Sequence, residues 1–373
     1  MAENLQAQII PHNVKYFYPG GFVETGIPDR LLCQNINGEF CYLNLENIQR
    51  PRLEVITPGF PGVGGQLGSD AESRVAWIVR GRGVYFIDLA TKKTGHMVAG
   101  NRGRVKQVLM TDRERLLFGV VDFAGTMSSL YVYELSTGKD HKLVVPSEIA
   151  NYNTLGRDRV LVEISATETP KYTGWYLTDT FATNIREGRG SVLPGGGPLT
   201  KALMDNHVHA VNESNKLLHQ GKRLLYGWSY ITRTTPIQAT LVHWSEDLKD
   251  IKISPLLQIR DTNDISYSEG TPYIFSADGN WFQTNLVHMR SMMEERIILH
   301  IQEHYPSGAS LPVSLGYTNQ DPGAFMAHSK LGPCFVEQPL AQGRENTLRV
   351  FKLNDAIEIL KKQSLGVVSK LTQ

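Results

Sequence analysis

Apolar and polar positions alternate in short runs along this chain, and the clearest example is the stretch Thr271 to Leu286, TPYIFSADGNWFQTNL. A β-prone run, Tyr273-Ile274-Phe275, meets the polar turn Ser276–Asn280, and a second run, Trp281-Phe282-Gln283, follows. Asp278-Gly279 between two such runs predicts a hairpin, because Gly tolerates positive φ and Asp hydrogen-bonds its own turn. The same order of strand, polar turn and strand returns roughly every 40 to 50 residues, the period of a repeat architecture.

Seven such units are read, at approximately 14–58, 63–99, 103–146, 148–188, 206–258, 265–316 and 322–362. In the first, Leu31–Cys33 and Phe40–Leu43 form a hairpin and Arg52–Ile56 a third strand. The second has Arg74–Val79, Gly83–Leu89, a Thr91-Lys92 turn and His96–Val98. The third has Val105–Met110, Leu116–Val121, Leu130–Leu135, a Ser136–Gly138 turn and Lys142–Val145. The later units repeat the pattern, with Arg159–Ile164 and Gly174–Leu177 in the fourth, His207–Val211 opening the fifth and Ala324–Ala327 opening the seventh. Ser191–Pro198, rich in Gly and Pro, reads as a loop between units. Asn354–Gln363 reads either as a weak last strand or as a short helix, since Leu353, Ile357 and Leu360 share one helical face.

Val84–Thr91 (VYFIDLAT) and Leu130–Gly138 (LYVYELSTG) resemble the third strand and outer turn of β-propeller blades. Pro272–Gly279 resembles the inner-strand motif of TolB-like propellers, in which Pro, an aromatic run and Ser-x-Asp-Gly precede the second strand. The resemblance spans nearly the whole chain. It implies an all-β, seven-bladed β-propeller with four-stranded antiparallel blades around a central channel, as a single domain over residues 1–373. Radial closure leaves only short, protected strand edges. Gln8-Ile9-Ile10 or Gly366-Val367-Val368-Ser369 is expected to supply the completing strand.

Composition fits this reading. Hydrophobic residues make up 41% and charged residues 20%, enough to build a core. The net charge of +1 speaks against a dedicated nucleic-acid binder but allows a local patch. No stretch approaches the roughly 18 apolar residues of a membrane-crossing helix. The N-terminus MAENLQAQIIPHN lacks a basic region followed by an apolar run, so no signal peptide is read, and three cysteines, few and odd in number, fit a reduced, cytoplasmic chain. Of the three cysteines, Cys33 and Cys41 flank Asn37-Gly38. A two-residue turn there would set Gln34 opposite Cys41 and point the two thiols to opposite faces, which predicts no disulfide.

Candidate chemistry lies where inner strands begin, because propeller sites gather at the channel mouth. In Asp205-Asn206-His207-Val208-His209, strand alternation would put His207 and His209 on one face. With His288 and His328 from neighbouring units they would hold a divalent metal. The oligogalacturonate lyases, a propeller family, use a histidine-rich metal site in this manner. Basic residues outnumber acidic ones from Glu72 to Arg115, and Arg80, Arg82, Arg102 and Arg104 are the candidate contacts for an anionic ligand. The glycines at 62–65 and 195–197 lack the setting of a phosphate loop, and neither Gly-x-Ser-x-Gly nor His-Glu-x-x-His occurs. Two functions follow as expectations: a non-enzymatic platform presenting a loop face to a protein partner, or a metal-assisted lyase or hydrolase acting on a carbohydrate or similar anionic substrate.

Overall fold

The computed structural model describes residues 3–4, 6–15, 21–57, 64–70, 74–111, 115–145, 147–155, 158–165, 172–181, 197–213, 224–229, 237–244, 247–259, 265–266, 273–274, 281–291, 294–303, 310–314, 323–338, 347–355 and 358. Among these residues the chain is almost wholly β. The first sheet comprises Val23–Glu24, Arg30–Gln34, Phe40–Asn44 and Arg52–Thr57, and the second Gln66–Ser69, Val75–Arg80, Gly83–Asp88 and Thr94–Val98. The third has Arg104–Met110, Arg115–Val121, Met127–Glu134 and Lys139–Val144, and the fourth Ile149–Thr154, Arg159–Ile164 and Gly174–Asp179. The fifth has Val208–Glu213, Leu224–Ser229, Ile237–Trp244 and Ile251–Ile259. These five are antiparallel meanders in chain order.

The sixth sheet, of six strands, joins Glu3–Asn4 in parallel to Ser310–Ser314 and contains the long hairpin Trp281–Ser291 with Glu294–Glu303. In it Tyr273 pairs with Gln283 and Ile274 with Phe282, as a hairpin around Asp278-Gly279 requires; the turn 275–280 itself lies outside the described residues. The seventh sheet holds Gly323–His328, Gly332–Glu337 and Thr347–Lys352, and its fourth strand is Ala7–Pro11 from the other end of the chain. Gln8–Ile10 therefore pairs with Leu348–Val350. Gly366–Ser369 lies outside the described residues.

Why these runs form these strands is clearest in the second strand of each sheet. Val75, Trp77 and Val79 pack toward the third sheet, while Ala76 and Ile78 on the other face pack toward the first. A strand with sheets on both sides must be apolar on both faces, so its sequence reads as a continuous apolar run. The fourth strands alternate instead: in Lys139–Val144 only Leu143 is buried. Apolar cores fill the spaces between successive sheets. Leu117 and Leu130 of the third meet Tyr152 and Val160 of the fourth. Leu161 and Trp175 of the fourth meet Val208 and Val242 of the fifth. Met326 and Val350 of the seventh meet Leu31 and Cys33 of the first. First strands lie beside first strands, as Ile149–Thr154 does beside Val208–Glu213. Packing runs unbroken from the seventh sheet through the first to the fifth. The sixth is described by backbone pairing, and the described residues do not close a ring.

Buried polar side chains cross these cores. Tyr152 Oη donates to the Gln107 carbonyl and accepts from the Gly119 N–H, each at 2.7 Å. Gln107 lies where the ladder of the third sheet shifts register, between Val105 and Val108. Gly119 has no room for a side chain, since a Cβ would lie 2.8 Å from the Tyr152 ring. Trp175 Nε1 donates to the Val208 carbonyl at 2.8 Å, tying the fourth sheet to the fifth.

Two sequence expectations change. The hairpin at Asn37-Gly38 is not a two-residue turn. Asn35 Oδ1 accepts from the Asn37 and Glu39 N–H groups, both at 3.0 Å, and so extends the loop to Asn35–Glu39. The register moves by one residue: Gln34 faces Phe40, and Cys33 faces Cys41. The two thiols therefore share a face, contrary to the sequence expectation; both are buried and free, with no disulfide between them. The second change is an unanticipated helix, α1, at Pro198–Asp205. Pro198 opens it, the Gly197 N–H donates to Thr200 Oγ1 at 3.1 Å, and Leu199 and Leu203 are buried against the fourth and fifth sheets. Residues 353–355 and 358 are helical, which favours the helical reading of Asn354–Gln363 where it is described.

Tyr152→Phe is expected to lower the unfolding free energy by about 1–3 kcal/mol, because it leaves a buried carbonyl and a buried N–H without partners. Denaturant titration measures this, and an unchanged midpoint contradicts it. Burial pushes the Cys33 thiol well above its usual range, Cys41 to about 11 and Cys334 to about 12. At pH 8 the native Cys41 then carries roughly a hundredfold less thiolate than a free cysteine. Native alkylation is expected to be slow and denatured alkylation complete; rapid native labelling contradicts the burial.

Candidate binding face

Three backbone segments meet at one end of the second and third sheets. The turn Arg80–Gly83 joins two strands of the second sheet, with Gly81 at φ 60°. The loop from Ala99 to Gly103 leads on to the third sheet and is tied to that turn by two hydrogen bonds. The Ala99 N–H donates to the Arg82 carbonyl at 2.7 Å, and the Val105 N–H to the Gly81 carbonyl at 3.1 Å. Gly103 passes so close that a Cβ there would lie 2.2 Å from the Val121 carbonyl oxygen. The third segment is the turn Asp122–Thr126. Its Asp122 carboxylate accepts from the Ala124 and Thr126 N–H groups, both at 2.9 Å.

Phe123 stands at the apex of that turn and is 82% exposed. The Arg82 guanidinium lies 5.4 Å from its ring centroid. Arg102 lies 4.7 Å over the Tyr131 ring and is ion-paired with Asp140. Arg80 and Arg104 are exposed at the same end, on strands flanking the two turns. Val98, opposite Gly83, is also exposed. An exposed cation–π contact contributes about 0.5–1 kcal/mol, enough to bias the geometry of both side chains. The face thus combines an aromatic group on a turn braced by its own aspartate with one guanidinium against it.

Of the four arginines named from the sequence, Arg82 lies against Phe123, Arg102 is drawn along the third sheet to Asp140, and Arg80 and Arg104 share only the strand ends; the wider basic run does not form one patch. Arg74 is at the other end of the strand Val75–Arg80, bonded to Asp70 at 3.0 Å. Arg115 is also at that far end. It binds Asp158 at 3.2 Å, Thr180 Oγ1 at 3.0 Å and Glu134 at 3.3 Å, and it stacks 3.9 Å from the Phe181 ring centroid. Phe123 was not singled out from the sequence. Its signal is an aromatic residue inside Asp-Phe-Ala-Gly, where a turn calls for small polar residues.

The candidate metal ligands do not sit as expected. His207 is not in a strand: it is an exposed turn residue at φ 51° closing α1, its N–H donating to the Met204 carbonyl at 3.0 Å. The strand begins only at Val208, so His207 and His209 do not share a strand face. His209 Nδ1 lies 2.6 Å from Glu163 Oε1, linking the fifth sheet to the fourth. His328 is buried, its Nε2 3.1 Å from the Leu45 carbonyl oxygen and its Nδ1 accepting from the Lys330 and Leu331 N–H groups at 3.0 and 3.2 Å. Both of its nitrogens serve the fold. His288 is in the strand Trp281–Ser291, paired with Arg296; its side chain lies outside the described residues. Among the described residues no group of three or more His, Cys, Asp or Glu side chains converges as a metal site would need. No described helix is long and apolar enough to cross a membrane.

No protein-family model and no curated protein sequence matches the chain. Solved structures do match its fold. The β-propeller domain of Cps50 (Swd1) from Myceliophteria thermophila aligns at a TM-score of 0.54 and 13% identity, over 93% of this chain and 99% of that one. The chain is a β-propeller. A structure of the mitotic checkpoint complex aligns at a TM-score of 0.50 and 10% identity, over 94% of this propeller and 96% of that chain. A streptogramin B lyase aligns at 0.47 and 8% identity, over 93% and 97%. At such identities the likeness is one of fold, and propellers host unrelated functions.

Proposed function

We propose that this propeller is a binding platform whose face around Arg82 and Phe123 docks a protein partner. The observation that carries the reading is Phe123, an 82% exposed aromatic ring on a turn braced by its own aspartate, with a guanidinium against it. Aromatic and arginine side chains are the commonest interface anchors, and anchors held in place before binding lose less entropy when the partner arrives. The Arg82 guanidinium beside the ring suits a partner that sets an acidic group next to an apolar one. A propeller fold inside a mitotic checkpoint complex agrees with such a role without arguing for it. No observation favours metal-assisted catalysis over this reading.

The seven sheets support a seven-bladed, single-domain arrangement over residues 1–373, with the N-terminal strand completing the last blade. The unpaired thiols favour a reducing, cytoplasmic setting.

The test compares proteins retained from an extract of the source cells by the parent chain and by Phe123→Ser and Arg82→Ser/Arg104→Ser variants, quantified by mass spectrometry. A partner is expected whose retention falls at least about tenfold in both variants, with melting temperature unchanged because the altered groups are exposed. Identical retention by all three proteins refutes the assignment of this face.

A further inference from the structure

We infer that a cavity at the seam between the first and seventh sheets binds a phosphomonoester carried on a small hydroxylated molecule, such as a sugar phosphate. The depression measures about 370 Å³ and is open to solvent, with Asn13, Gln49, Arg50 and Arg52 exposed along it. One wall is His12 and Asn13, which continue the N-terminal strand of the seventh sheet; the other is Gln49, Arg50 and Arg52, entering the outer strand of the first. Pro11 and Pro51 supply its stiff apolar edges.

The charge of this lining is one-sided. It contains two guanidiniums and no carboxylate. The next acidic group along the strand, Glu54, is engaged by Arg30 Nε at 3.1 Å and Asn44 Nδ2 at 2.5 Å, and it also feels the charge of Arg52. Two arginines on one short loop match a dianion, and each guanidinium presents a planar fork suited to phosphate oxygens. A phosphomonoester carries about −1.5 to −2 charges at neutral pH, which balances that pair where a single carboxylate would not. The loop is braced before any ligand arrives: Asn47 Oδ1 accepts from the Gln49 N–H at 3.1 Å, and the Asn47 carbonyl from the Arg50 N–H at 2.9 Å. On the facing wall His12 Nδ1 accepts from the Val14 N–H at 3.2 Å, and burial lowers its pKa. At neutral pH the ring is then uncharged, and its Nε2 is shielded from solvent. The Asn13 and Gln49 amides beside this neutral ring make a wall that suits hydroxyl groups rather than a second anion.

The walls belong to different sheets, so an occupant would bridge the N-terminal strand to the first sheet. Ligand binding and the docking of that strand are then thermodynamically linked. The proposal is independent of the platform reading, whose face is on the second and third sheets.

The experiment is a thermal melt of the full chain at fixed ionic strength with glucose 6-phosphate, neutral glucose or inorganic phosphate, repeated on Arg50→Ala/Arg52→Ala and Arg50→Lys/Arg52→Lys. Glucose 6-phosphate at saturation is expected to raise the melting temperature by about 2–4 °C and to slow hydrogen exchange of the Ile9 and Ile10 amides, whereas glucose does neither. Inorganic phosphate is expected to bind at least about tenfold more weakly. The alanine pair should weaken binding at least about tenfold, and the lysine pair, which keeps the charge but loses the fork, should retain part of it. No shift with glucose 6-phosphate, an equal shift in the alanine pair, or equal affinity for inorganic phosphate overturns the proposal.

Discussion

A buried polar side chain reaching from one sheet into the backbone of the next is the constraint on which the rest of this propeller depends. Apolar packing between sheets is strong but indifferent to small slips, because it scales with area rather than direction. A buried hydrogen bond is directional and costly to leave unmade. Tyr152 meets the Gln107 carbonyl and Gly119 N–H of the preceding sheet, and Trp175 the Val208 carbonyl of the following one. His328 spans the first and last sheets, with Nε2 on the Leu45 carbonyl, while Asp29 of the first sheet accepts from the Ser329 N–H at 2.7 Å. Each contact converts a sliding interface into a single register, and the Gly119 position shows how little room is left once it does.

The proposed functions sit on this frame rather than in its core. The turn at Asp122 projects beyond a sheet whose second strand is buried on both faces, so Phe123 is presented by a rigid support. The seam cavity is different in kind. It lies where the two ends of the chain's sheet order meet, held by His328, by Asp29 and by the N-terminal strand against Thr347–Lys352. A rigid outer face suits docking, and a joint between chain ends suits a ligand that clamps it.

Much of the fold was legible in the pattern of apolar runs. A strand packed on both faces must be apolar throughout, and runs such as Val75–Val79 and Val160–Ile164 announce it; the alternation of the outer strands is equally plain. What failed was register and local geometry. Whether Cys33 faces Cys41 turned on one side chain, Asn35, lengthening a loop by hydrogen bonds that no periodicity encodes. His207 left its strand because α1 ends at Asp205 and Asn206 and His207 form the turn that closes it, and that helix, short and Gly-Pro-led, reads as loop in sequence. The arginines at 80, 82, 102 and 104 were identified together because turns and strand ends follow one another closely there. The charge count that pointed to them also swept in Arg74 and Arg115, which the same strands carry to the opposite end. Phe123 was passed over because exposure belongs to the tertiary structure.

The central claim is that the first and last sheets are locked together by the shared apolar core to which Ile10 of the N-terminal strand belongs and by the His328 and Asp29 contacts across the seam. The most direct measurement is the equilibrium unfolding of the chain with and without residues 1–11, followed by denaturant titration. The account predicts that removing the strand lowers the midpoint substantially and exposes the edge Thr347–Lys352, seen as rapid hydrogen exchange at Leu348 to Phe351. An unchanged midpoint with those amides still protected would contradict it.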